Sequence, residues 1–439
     1  MTRAPTQPHA RPATRPVVRH CDVAVIGGSA SGLAAALQLG RQRRSVIVVD
    51  SGEPRNAAAA HMHSFLGRDG TPPTDLLVDG RREVRAYGGE ILTGQAVRVT
   101  RAGARFTVEL SGGRTIVARR VIAATGLSDE LPDIEGLAGL WGGAVIHCPF
   151  CHGYEVRDER VVQIVTHPMG LHTVPLFRQL TERLTVLLQD GVQVDDAEAD
   201  ALRAAGVDVR KGPVRRLVTH ASGRLAAVEL VDGSQVAADA VVVGPRFRAR
   251  AEPFASAGLE PEPHATGLGD VLEVDAMGAT SVEGIYAVGN VTDPSHQVLQ
   301  AAAHGSRVGG IVAFSLAEED VREAARPSGS VEDWDDRYSG EQVWSGNPNG
   351  SLVVEESGLP VGTALDVGAG EGGDAIWLAE RGWAVTASDI SSAALDRLRA
   401  EATRRDVPVT CRLADANARE PFPSRAFGLV SASYASIPR

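Results

Sequence analysis

The sequence predicts an α/β protein with more than one parallel-sheet domain. An apolar strand, a turn and then a helix recur near residues 22, 160 and 362, and the first and third turns keep their glycines. The chain has 439 residues, a length that suggests about three domains. It is 43% hydrophobic and 23% charged, an ordinary globular balance. Aromatic residues make up only 4% while glycine numbers 48, so glycine turns carry more information than aromatic clusters. The 44 basic and 55 acidic side chains leave a net charge of −11, which removes the electrostatic case for a nucleic-acid partner. Four cysteines cannot build a disulfide scaffold, so a close pair of them needs a chemical explanation. The expectation is a soluble, cytoplasmic enzyme.

Along the chain, residues 1–20 mix Pro, Arg and Thr without the apolar stretch of a secretory signal and read as a solvated tail. No run approaches the ~18 apolar residues of a membrane span. Asp22–Ile26 reads as a strand, Gly27-Gly28-Ser29-Ala30-Ser31-Gly32 as a glycine turn, and Leu33–Gly40 as a helix. A second strand, Ser45–Val49, ends at Asp50, eighteen residues after Gly32. That is the layout of a dinucleotide-binding βαβ unit. Gly27 makes the tight turn, Gly32 lets helix and strand pack, and the helix N-terminus faces the pyrophosphate. Asp50 would accept hydrogen bonds from a ribose. Ser29 replaces the middle glycine, so the pyrophosphate must pass over a small side chain. Val121–Gly126 repeats the strand-then-glycine texture, as does Gly284–Asp293.

Together these segments resemble the FAD domain of the thioredoxin-reductase-like flavoproteins, over about residues 21–322. The resemblance implies a discontinuous FAD-binding domain of three-layer, Rossmann-like architecture (21–136 and 250–322), with a second nucleotide-binding-like domain inserted at 137–249. It assigns Gly289, Asn290, Gln297 and Val298 to the flavin and its ribityl chain, and Arg55, Val97, Thr125 and Gly126 to the same cofactor. It places His61–Gly67 against the flavin. The family usually has Asp at position 290; Asn keeps an accepting oxygen and loses the charge. The resemblance also implies a homodimer.

His147-Cys148-Pro149-Phe150-Cys151-His152 admits four readings. Cys148–His152 spells a c-type haem attachment site, but that chemistry goes with export. Zinc would require further ligands, and Cys21 and Cys411 lie elsewhere in the chain. Two inert buried thiols are a third possibility. The fourth is a redox dithiol exchanging two electrons with a flavin. The resemblance favours the last, because that family carries Cys-x-x-Cys in its inserted domain. It implies Cys151 as the thiolate beside the flavin and Cys148 as the thiol that meets substrate. Thioredoxin reductases proper place Asp after the second cysteine. Here His152 stands there, a base suited to taking a proton from a thiol, and the pattern looks like that of dithiol oxidases. The implied partner is a small-molecule dithiol or a thioredoxin-like protein; no metal is implied.

An NADPH-dependent enzyme would repeat the fingerprint at Val161–Gly170. There Val165 and His167 stand where the first two glycines belong, and Gln189-Asp190 follows the next strand (Leu184–Leu188) instead of arginines. The expectation is a packed scaffold that positions the cysteines and does not take NADPH in the usual mode.

After an acidic and Pro-Ser-Gly-Ser linker (323–335), residues 336–439 offer a further strand and glycine turn, Asp366-x-Gly368-x-Gly370-x-Gly372. A helix (Asp374–Arg381) and a strand ending at Asp389 follow. The spacing resembles class I S-adenosylmethionine-dependent methyltransferases. Asp389 is implied as the ribose acid and Asp415 as the adenine-side acid, and Trp334–Tyr338 matches a sub-family resembling the tellurite-resistance and thiopurine enzymes. Only about four strands fit before residue 439. The expectation is a truncated doubly wound domain with weak S-adenosylmethionine binding and no methyl transfer.

Overall fold

A computed structural model describes residues 18–325, 329–340, 342–418, 421–423 and 426–432. Most of the expected tail lies outside these residues. Val18–His20 do not; they open a longer strand than predicted, pairing with Thr115–Val117. The chain divides into two compact units, Met1–Ala317 and Glu318–Arg439.

In the first unit, four strands run parallel in the order Glu90–Thr93, Val46–Asp50, Val18–Ile26 and Thr115–Ala123, and Ile285–Ala287 adds a fifth. The strand Thr115–Ala123 serves two purposes. Its first half pairs antiparallel with Arg105–Leu110, which pairs with Ala96–Ala102, while its second half holds Ile285–Ala287. Val23, Val25, Leu33, Ala36 and Val48 are buried together between this sheet and the helix Ala30–Arg41. The near-continuous apolar strand VIVV is what a parallel sheet covered on both faces requires.

The chain leaves this sheet through Leu127–Glu130 and returns through Arg246–Ala249, and these two segments pair antiparallel. Between them lies a second parallel sheet, ordered Asp208–Lys211, Leu184–Leu188, Val161–Val165, Ala240–Val243 and Val145–Ile146. A three-stranded antiparallel meander, Val214–Thr219, Leu225–Leu230 and Gln235–Ala237, packs beside it. Sequence periodicity marks the parallel strands but not the two meanders.

The helix Val298–Ala325 runs past residue 322, and the helix Val331–Tyr338 begins inside the expected linker, capped by Ser330 and Asp333. In the second unit all described strands are parallel, ordered Val409–Leu413, Ala384–Asp389, Thr363–Val367 and Leu429–Ser431. The helices Gly373–Glu380 and Ser392–Arg404 bury Ile376, Leu378, Leu395 and Leu398 in its core.

Candidate active site

The strand Val18–Ile26 delivers the chain to Gly27, where φ is +116° and a Cβ would lie 2.1 Å from the Ala124 carbonyl oxygen. No side chain is possible there. A Cβ on Gly32 would lie 1.9 Å from the Gly27 carbonyl oxygen, so this glycine lets the helix close on the strand. Ser29, the departure from the glycine pattern, has φ −95° and ψ −169°, an extended conformation any L-residue adopts. Its hydroxyl makes no cap bond to the helix it begins. The serine therefore costs the turn no strain.

Asp50 stands at the end of its strand, but its carboxylate already has partners. Arg81 donates to Oδ2 at 2.6 Å and the Gly52 N–H donates to Oδ1 at 3.0 Å. Arg81 comes from the helix Pro73–Ala86 and carries no local sequence signal. Arg55 also has partners: it grips Asp129 through two bonds of 2.9 and 2.7 Å and lies over the Phe247 ring. Asp129 and Phe247 are paired residues of the two-stranded connection, so Arg55 fastens both of its strands.

One cavity of about 510 Å³ takes in the nucleotide turn and the cysteines together. Its lining includes Gly27, Gly28, Ser29, Ala30, Ser31, Asp50, Arg55, Thr125, Gly126, Asn290, Gln297, Val298, Cys148, Cys151 and His152. Thr125 Oγ1 and His296 Nδ1, in the same lining, are buried without a hydrogen-bond partner. Such atoms await a polar ligand. Three expected cofactor residues stand apart. Gly32 is a packing position. Gly289 lies against Ser31, where a Cβ would fall 2.5 Å from the hydroxyl oxygen. Val97 lies at a bulge between Ala96 and Arg98 of the strand Ala96–Ala102, its side chain 52% exposed and outside the lining.

Asn290 does more than replace a carboxylate. Its amide nitrogen donates to the carbonyls of Asp293, Pro294 and His296 at 3.2, 3.4 and 2.9 Å and so holds the loop that carries His296 into the cavity.

Pro149 starts the short helix Pro149–His152, and Cys148 caps it, its sulfur accepting the Cys151 N–H at 3.2 Å. The two sulfurs are joined as a disulfide. His152 follows directly; burial, assisted by His63 and His61 and opposed by Glu155, keeps its imidazole below the ordinary histidine range and hence neutral. His147, on the other side of the pair, stacks on Trp141 with centroids 5.6 Å apart. Burial and then the Arg55 charge push it down to about 4. The Ser64 hydroxyl donates to the Phe150 carbonyl at 3.4 Å, so the 61–67 segment lies against the cysteine helix.

At the inserted domain's own turn, His167 accepts the Met169 N–H through Nδ1, and Pro168 opens a tight helical turn, Pro168–Thr173. A Cβ on Gly267 would sit 3.6 Å from His167 Nε2, so the imidazole lies between this turn and the 264–269 loop. The Gln189 side chain closes on its own surroundings, donating to the Gly212 carbonyl and accepting the Val214 N–H. This turn does not fit a pyrophosphate bound over glycines.

In the second unit a cavity of about 640 Å³ gathers Asp366, Gly368, Gly370, Gly372, Asp389 and Asp415 with Trp334, Tyr338 and Trp344. Asp366 is buried, which raises its carboxyl well above the usual range, and its Oδ2 lacks a partner, as does Ser388 Oγ. Both atoms suit a polar ligand. The Gly370 and Ser391 N–H groups donate to the two oxygens of Asp389 at 2.8 and 2.9 Å, which fixes the carboxylate at the end of its strand. Trp344 carries no motif signal in the sequence; its indole donates to the Tyr338 hydroxyl beside the glycine turn.

A nucleotide turn and a cysteine pair sharing one cavity define a disulfide oxidoreductase of the thioredoxin-reductase-like class. The chain belongs to the pyridine nucleotide-disulphide oxidoreductase family, which it matches over residues 21–306, and residues 364–438 match a methyltransferase domain. It is similar to thioredoxin reductase sirT of Leptosphaeria maculans, 32% identical over 68% of this chain and 95% of that one. Thioredoxin reductase tcpT of Claviceps purpurea is likewise 32% identical, over 61% of this chain and 86% of that one. Among solved structures, the crystal structure of HlmI superposes with a TM-score of 0.65 at 43% identity, covering 70% of this chain and 96% of that one. An oxidoreductase from Agrobacterium tumefaciens gives 0.64 at 35%, covering 68% and 99%. No helix among the described residues is long and apolar enough to cross a membrane.

Proposed function

We propose that the chain is an FAD-dependent dithiol oxidase, cycling Cys148–Cys151 between disulfide and dithiol. The carrying observation is the single cavity that the Gly27–Ser31 turn shares with Cys148, Cys151 and His152. Gly27, Gly28, Ser31, Thr125, Asn290, Gln297 and Val298 would hold the cofactor, with Ser29, Ala30, Gly32 and Gly289 shaping the turn. Bound FAD would accept an electron pair and pass it to dioxygen. The chain's own residues do the rest. Cys148, the capping residue, exchanges with the substrate dithiol. Cys151 is left as the inner thiolate. His152, kept neutral by burial, takes the thiol proton. The turn at Val165–Gly170 supports an oxidase over an NADPH-fed enzyme, because His167 and Pro168 fill the place of the glycines. The relatives' names favour a second reading, an NADPH-dependent reductase with a thioredoxin-like substrate; a non-catalytic flavin protein is the third.

The domain division is part of the proposal: FAD-binding segments 21–136 and 250–322 around an insert at 137–249. So are a cytoplasmic homodimer, where a cycling thiol pair escapes permanent oxidation, and a small dithiol as partner. For the second unit we propose binding of an adenosyl ligand through Asp366, Asp389 and Asp415.

The test is anaerobic stopped-flow on the purified yellow protein. Dithiothreitol should bleach the flavin, and hydrogen peroxide should form when oxygen is admitted. Rapid bleaching by NADPH would overturn the oxidase, and bleaching by neither would leave the non-catalytic reading.

A further inference from the structure

Gly28 and Asp50 are pressed together at the nucleotide turn: a Cβ on Gly28 would lie 2.5 Å from Asp50 Cγ and 2.6 Å from Oδ2. A carboxylate in that place, its side chain 14% exposed, would by itself repel the anionic pyrophosphate that the same turn is shaped to take. Arg81 answers that charge. Its Nη2 donates to Oδ2 at 2.6 Å, and its own side chain is 25% exposed. The helix that carries it, Pro73–Ala86, buries Pro73, Leu77 and Val84. Arg81 stands four residues after Leu77 and three before Val84, so it falls on the same inward stripe. Arg82, one residue on, leaves the stripe and pairs with Asp79 at the surface. Gly80 lets the helix come close, since a Cβ there would lie 3.1 Å from Leu33 Cδ1 on the helix that follows the turn. Pro73, Leu77 and Arg81 all line the cavity together with Asp50. An arginine on the buried stripe of a helix needs a reason.

We propose that Arg81 is a positioning residue for the adenosine half of FAD and makes this end of the cavity selective for the dinucleotide over FMN. A carboxylate offers about four acceptor positions. The Gly52 N–H takes one on Oδ1 and Arg81 takes one on Oδ2. About two are left, the number that the paired hydroxyls of a ribose fill. Arg81 thus acts through Asp50: it holds the carboxylate against Gly28 and cancels the charge that a pyrophosphate would meet. FMN has neither the adenosine ribose nor the pyrophosphate, so it gains nothing from this pair. The proposal rests on the turn being the FAD site, with Asp50 as its ribose acid.

The experiment uses the full chain, its FAD dissociated and then re-bound in titrations followed by flavin fluorescence, with FMN titrated alongside and ADP as a competitor. Arg81→Met should weaken FAD about ten- to a hundred-fold and ADP by a similar factor. Its affinity for FMN should stay within about two-fold of the unaltered protein. Arg81→Lys should keep most of the FAD affinity, because an ammonium can replace the single Nη2 bond. In an Asp50→Ala background Arg81→Met should add little, since both changes remove the same contact. If Arg81→Met does not fold, Arg81→Gln carries the same comparison. Unchanged FAD affinity would overturn the proposal. So would an equal loss for FMN, a loss that lysine does not recover, or losses that add fully across the pair, since each of these indicates a loosened helix and not a held carboxylate. If the unaltered chain binds FMN as tightly as FAD, the reading of the turn as an adenosine site falls first, and the role of Arg81 with it.

Discussion

Restoring the carboxylate usual for the family, by Asn290→Asp, should damage this protein, for reasons visible in the loop that follows. The amide nitrogen donates to three carbonyls, two at 2.9 and 3.2 Å and a weaker third at 3.4 Å. An ionised carboxylate cannot donate, so those bonds are lost and negative oxygens face carbonyl oxygens. At about 0.5–1.5 kcal/mol per bond, the cost is about 2–4 kcal/mol once the repulsion is included. That corresponds to a fall of roughly 5–12 °C in the melting temperature of the first unit. The sign of the pH dependence is also fixed. A neutral carboxyl can still donate one bond, so the fold prefers the protonated form and raises that group's pKa above its unfolded value. The deficit should therefore be smallest near pH 4 and grow as pH rises to 7. The assay is a set of thermal melts of both proteins, followed by circular dichroism and flavin fluorescence from pH 4.5 to 8. A deficit below about 0.5 kcal/mol at pH 7, or one that acid does not shrink, would refute the role given to the amide.

His147, held at about 4 by burial, binds a proton less readily folded than unfolded. It should contribute stability above pH 6.5 that is lost as pH falls toward 4, about 3 kcal/mol, and urea melts of His147→Gln should be flatter over that window. Gly32→Ala places a carbon where the Gly27 carbonyl stands; refolded protein should lose bound flavin, measured by absorbance at 450 nm, whereas an intact yellow variant would refute the close approach. Cys21, buried and pushed up to about 12, should resist thiol reagents at pH 8 until the protein is denatured, so that a timed thiol titration shows Cys411 reacting first.

Features built from neighbours in the chain are legible in the sequence itself. The turn at Gly27, the strand end at Asp50, the helix break at Pro149 and the triple glycine after Asp366 all lie within short windows whose spacing encodes their geometry. What the sequence hides is what joins distant segments. Nothing near Asp50 announces Arg81, thirty-one residues on, and nothing near Arg55 announces Asp129 and Phe247. The pairing of His63 with Glu155 likewise depends on two loops meeting. The exposure of the Val97 side chain is hidden in the same way, because it follows from a bulge between Ala96 and Arg98 where the strand meets its antiparallel partner.

The fifth parallel strand sets a timetable for synthesis. Val121–Ala123 cannot pair with Ile285–Ala287 until about 160 further residues have been made. At about 5–20 residues per second, the first sheet waits roughly 8–30 s for its last member, with one side of Val121–Ala123 unsatisfied. The inserted sheet takes all of its strands from within its own stretch of chain, between Val145 and Val243, and can finish during that wait. The domain begun second is thus completed first, and the nucleotide turn receives Asn290 and Gln297 only as one of the last acts of folding the first unit.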